Sequence, residues 1–147
     1  MENTKYEIRS TGKKLYPKEI KRKDVLIAVD ISQNNIDFNN LKDLLRLFDN
    51  MTKDYDMKGS VITFDSKVHL DFHLEAYDKL SEETLTISTE KADFDVITNY
   101  INDNKLDIFR IFVLTDGHIK TPKTCEYEVV WITDPGNEFN FGTTLKL

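Results

Sequence analysis

Two short stretches of this 147-residue chain carry residues able to do chemistry at a spacing that matters: Asp30-x-Ser32-x-Asn34, and Thr115-Asp116-Gly117. Each follows an apolar run that stops at its carboxylate. Asp30, Ser32 and Asn34 set side-chain oxygens at every second position, and Asp116 adds a second carboxylate from far along the chain. Two carboxylates brought to one place repel unless a cation, a basic partner, a shared proton or helix N-termini stand between them. With no His or Cys nearby at ligand spacing, an all-oxygen set suits a hard divalent ion, Mg²⁺, Mn²⁺ or Ca²⁺. The plainer alternative is that these residues turn the chain and cap loops.

The elements needed to bring these stretches together are legible. Val25-Leu-Ile-Ala-Val29 is too short for a helix and apolar throughout, as in a strand buried on both faces of a parallel sheet. Phe38, Leu41, Leu44, Leu45, Phe48 and Met51 recur at helical spacing behind Asp37, a natural N-cap. Ser60–Phe64 reads as a strand. The turn Asp65-Ser66-Lys67 leads into alternating Val68, Leu70, Phe72 and Leu74, an antiparallel edge strand. Residues 76–90 read as loop with room for one short strand. A helix is expected from Asp93 through Ile101, then strands at Ile108–Leu114, Glu128–Thr133 and Thr143–Leu147. Strands separated by helices at these distances predict an α/β, doubly wound, mostly parallel and Rossmann-like sheet with an antiparallel edge hairpin. Such sheets bind ligands beyond the carboxyl ends of their strands, where strand order reverses.

Composition narrows the function. The chain carries a net charge of −6 with 39% hydrophobic residues and 31% charged, an ordinary globular balance. Residues 1–24 hold eight Lys or Arg against four acids, a net of +4, which leaves −10 for the remainder. An acidic body argues against nucleic-acid binding, which needs a basic face. Cys125 is the single cysteine, so an intrachain disulfide and a Cys-cluster metal site are both excluded. No apolar run approaches a membrane span and the N-terminus is polar, so a cytoplasmic, non-membrane protein is expected. His69 and His73 read as surface residues of the edge strand, His118 as a solvated loop residue within reach of the rim, and Trp131 as core. Ser32 stands where the haloacid dehalogenase signature needs a second Asp, and no phosphate-binding Gly-x-x-x-x-Gly-Lys loop exists. No nucleophile–base pair can be named. Catalysis, as a Mg²⁺-dependent phosphoesterase, is therefore the weaker alternative to a binding role.

The motif order resembles the von Willebrand factor A (VWA) fold and its metal-ion-dependent adhesion site (MIDAS): Asp30-x-Ser32-x-Asn34, Ala92-Asp93, then Thr115-Asp116-Gly117. The stretches "LYPKEIKRKDVLIAVDISQ", "KADFDVITNYI", "IFVLTDG", "YEVVWITDPG" and "FGTTLKL" look like the VWA-like domain found behind predicted metallopeptidase regions in bacteria and phages. The resemblance covers residues 12–147, and it divides the chain into a basic N-terminal segment, 1–22, and a VWA-like domain, 23–147. It implies strand order 3-2-1-4-5-6 and a metal set of Asp30, Ser32, Asn34, Asp93 and Asp116. Asn34 replaces the family's second Ser, and Ala92 stands where its Thr is expected, with Asp93 beside it as substitute ligand or helix cap. The implied role is a non-enzymatic protein–protein interaction module. A partner's acidic residue completes the ion, and the setting is that of AAA+ ATPase systems; a metal-free structural or oligomerising domain is the alternative. No His-Glu-x-x-His peptidase motif is present.

Overall fold

The run predicted as a two-sided strand is the centre of a six-stranded sheet in the computed structural model, which describes residues 9–10, 13–14, 24–32, 36–85, 88, 90–133 and 136–146. In chain order the strands are β1 (Asp24–Asp30), β2 (Gly59–Phe64), β3 (Val68–His73), β4 (Ile108–Leu114), β5 (Glu128–Thr133) and β6 (Thr143–Lys146), with helices α1 (Phe38–Asp54) and α2 (Asp95–Asp103). Across the sheet they lie β3-β2-β1-β4-β5-β6. All neighbours are parallel except β2 and β3, the antiparallel pair at one edge. The connections run outward from β1 to one side and then, through β4, to the other, so strand order reverses between β1 and β4.

The period-two geometry of β1 sends successive side chains to opposite faces, and each face has its own core. Leu26 and Ala28 join Ile62, Phe64, Ile111, Val113 and Trp131 beneath Ile97 and Ile101 of α2. Ile27 and Val29 join Val61, Leu114 and Ile132 beneath Leu41, Leu45 and Phe48 of α1. The result is a mixed α/β fold with a helix on each face. Asp37 caps α1 as its position predicts, its Oδ1 accepting from the Asn40 amide at 3.0 Å. Phe48 meets Phe112 with ring centroids 4.6 Å apart, anchoring α1 over β4.

Three expectations change. The edge strand ends at His73, and Leu74 opens a 3-10 turn, Leu74–Lys79, followed by a second, Glu82–Thr84; among the described residues of 76–90 there is no strand. Helix α2 starts at Asp95 rather than Asp93. Ala92–Asp93 instead pairs in parallel with Ile119–Lys120, a two-residue ladder that the sequence did not suggest. The basic segment lies mostly outside the described residues; within it Arg9–Ser10 pairs antiparallel with Lys13–Lys14. Among the described residues no helix is long and apolar enough to cross a membrane.

Candidate functional site

The parallel registers carry Asp30 and Thr115 to the same lip of the sheet: Val29 is level with Leu114, and Asp30 with Phe64 at the end of β2. Asp30 is fully buried. Its Oδ1 accepts from the Ser32 amide at 2.8 Å and from the Ser32 hydroxyl at 2.5 Å. Its Oδ2 accepts from the Thr115 hydroxyl at 2.6 Å, a bond that joins loops 85 residues apart in sequence. One carboxylate thus holds a hydroxyl from each side of the point where strand order reverses. Burial pushes the Asp30 carboxyl above the ordinary carboxylate value; the Ser32 and Thr115 bonds pull it down, and the Asp116 charge adds to the rise.

Asp116 is half-buried beside this pair. Its Oδ1 accepts from the His118 amide at 3.0 Å, and its Oδ2 lies 3.4 Å from His118 Nδ1, an imidazole almost wholly in solvent. Asn137 steadies the loop, donating to the Asp116 carbonyl at 3.1 Å and to the Thr133 hydroxyl at 2.8 Å. Gly117 is required here. Its φ of +98° lies in the left-handed region, and a Cβ would stand 2.5 Å from the Asn137 side chain.

Of the residues singled out from the sequence, Asp30, Ser32 and Asp116 gather at the rim. Asp93 lies on the bridge to Ile119–Lys120, and its carboxylate accepts from the Asp95 amide at 3.0 Å, the capping role weighed for it. Ala92 is fully buried among core side chains and contributes no oxygen. Asn34 lies outside the described residues. Two participants were not anticipated. Thr115 was read only as the end of a strand, and Asp65, read as a turn former, is 2% exposed at the end of β2. His69, read as a surface residue, bonds this buried Asp65 at 2.8 Å.

The oxygen set suits a hard cation. Ser32 and Thr115 each spend a proton on Asp30, which leaves hydroxyl lone pairs for an ion, Thr115 sharing one with the Gly117 amide at 3.1 Å. Among the described residues no three His, Cys, Asp or Glu side chains gather to hold a metal. An ion at this lip would rest on hydroxyls, the Asp116 carboxylate and water, a coordination that Mg²⁺ accepts and Zn²⁺ does not favour. No protein-family model matches the chain, and no curated protein matches it.

Proposed function

We propose that this chain is a VWA-like, non-enzymatic protein–protein interaction module whose docking point is the Asp30–Ser32–Thr115–Asp116 lip. The observation that carries the reading is the fully buried Asp30 carboxylate at the reversal of strand order, holding hydroxyls from two loops beside a second carboxylate. Support also comes from the β3-β2-β1-β4-β5-β6 arrangement with its antiparallel edge, the order that the resemblance implies. In this reading Ser32, Thr115 and Asp116 hold Mg²⁺ or a similar hard ion. An acidic side chain from a partner, in the setting of an AAA+ ATPase system, supplies the remaining oxygen. Asp93 is reassigned from the ligand set to the entry of α2.

A second reading, docking or oligomerisation without metal, is favoured by one specific observation. Ala92 is packed in the core where the family's Thr would stand, so one neutral ligand is missing. Calorimetric titration of Mg²⁺, Mn²⁺ and Ca²⁺ separates the two. Binding to the native chain that weakens at least about tenfold in Asp116→Ala supports the ion-mediated module, since a lost charged ligand costs more than about 1.4 kcal/mol. Neither heat nor thermal shift at millimolar ion supports the metal-free one. Metal-dependent hydrolysis of a generic phosphoester, abolished by Asp116→Ala, would replace both with an enzyme.

A further inference from the structure

Asp65 follows β2 as Asp30 follows β1, and it is nearly as sheltered. Its carboxylate accepts from the Lys67 amide at 3.0 Å, from His69 Nε2 at 2.8 Å and from the hydroxyl of Ser88. Burial alone would push it up, but the Ser88, His69 and Lys67 donors hold it below the ordinary carboxylate value, so it stands ionised. Its backbone carbonyl accepts the Asp93 amide at 3.1 Å. Ser88 in turn donates its amide to the Ile31 carbonyl at 3.0 Å, and its hydroxyl accepts the Glu90 amide at 3.0 Å. Glu90 then closes on Ser66 in the turn after Asp65. Segment 88–90 is thereby clipped at both ends to the turn that carries Asp65, and through Ser88 it reaches the residue before Ser32.

We infer that Asp65 is a positioning residue for the docking lip: through Ser88 it holds the Ile31–Ser32 loop in place, and through its carbonyl it holds Asp93 at the entry to α2. The inference takes its functional meaning from the docking reading, but the linkage itself is testable without metal. Ile31 has two restraints of its own, the Ser88 amide on its carbonyl and the Phe64 carbonyl on its amide at 3.0 Å. Only the second belongs to the sheet ladder. Removing the first leaves Ser32 tethered by Asp30 alone, on a loop with more freedom.

The test is residue-resolved amide hydrogen exchange on the full chain in chelator. The variants are Ser88→Ala and Asp65→Asn, singly and together, with Tyr100→Phe as control. Tyr100 bonds Asp71 on the same edge strand and has no link to the lip. Exchange at the Ser32 amide should quicken about tenfold or more in either rim variant, the expected effect of losing one hydrogen bond to a charged group. Leu26 and Ile111 should keep wild-type rates, and the double variant should be no faster at Ser32 than the faster single one, because both changes cut one link. Ser88→Ala retains Asp65 and reads the link should Asp65→Asn fail to fold. An unchanged Ser32 rate in Ser88→Ala, or a rise shared equally by Leu26 and Ile111, overturns the inference. A wild-type chain that binds no metal would sink the ion-mediated docking reading and leave this linkage intact.

Discussion

Replacing Asp30 by Asn separates what the fold needs at the lip from what a function needs there. Burial, opposed by the Ser32 and Thr115 bonds and reinforced by Asp116, raises the Asp30 pKa above its ordinary value. A carboxyl whose folded pKa exceeds its unfolded one binds more protons folded than unfolded between the two values. Stability therefore falls as pH rises through that window, and the full cost is present above it. At neutral pH the native carboxylate is a burden that an isosteric amide lacks. Asn keeps one oxygen for the two Ser32 donors and can donate to the Thr115 hydroxyl, so Asp30→Asn should match or exceed wild-type stability at pH 7, by up to about 1 kcal/mol. Asp30→Ala strips the acceptor from two hydroxyls and an amide, and should cost about 3–5 kcal/mol, a large share of the roughly 5–15 kcal/mol of a domain. Urea unfolding in chelator, followed by the fluorescence of Trp131, reads both. The advantage of Asn over wild type should shrink as pH is lowered toward about 3.9, the unfolded carboxyl value. An Asn variant less stable than wild type by more than about 2 kcal/mol at pH 7 would refute the reasoning, because the charge would then be holding the lip together. The predicted result means that a charge is kept where the fold gains by its removal, as expected of a group that serves a ligand.

Three further outcomes test the frame around the lip. Trp131, fully buried, donates from Nε1 to the Phe141 carbonyl at 2.9 Å and stacks on Phe139 at 3.9 Å, so Trp131→Phe should lose about 2–3 kcal/mol in chemical denaturation followed by circular dichroism. Gly142→Ala meets both a φ of +85° and the Val129 carbonyl at 2.7 Å, and should lower stability by about 1–3 kcal/mol, read as a reduced melting temperature. The Tyr100 phenol is pushed up to about 12 by burial and by its bond to Asp71, so an ultraviolet titration should show its ionisation as a late phase absent from Tyr100→Phe. Its folded pKa exceeds its unfolded one, so this group's contribution to stability should decline as pH climbs from about 10 towards that value.

What the sequence revealed and what it hid divide along the range of the interactions. The strand β1 was legible because a central strand of a parallel sheet must be apolar on both faces, and no other short element needs five apolar residues in a row. The α1 N-terminus was legible because Asp37 and the Asn40 amide are three residues apart. The 3-10 turns of 74–84 were missed although Leu74, Tyr77 and Leu80 repeat at a spacing of three. Single turns of this kind form only when docked, here with Leu74 and Leu80 in the α1 core and Lys42 bonded to the Asp78 carbonyl at 3.1 Å. Thr115 was hidden for the same reason in a stronger form, since its partner Asp30 is 85 residues away. Asp65 is the instructive miss. In local terms Asp-Ser-Lys is a good turn, and nothing nearby announces His69 and Ser88 as donors. Yet the strand-then-carboxylate pattern that drew attention to Asp30 and Asp116 occurs a third time at Phe64–Asp65. Once β2 is assigned beside β1 in parallel, with Asp30 level with Phe64, Asp65 has to emerge at the same lip whatever its turn propensity. The register of neighbouring parallel strands is therefore a stronger guide to rim residues than the turn chemistry of any one loop.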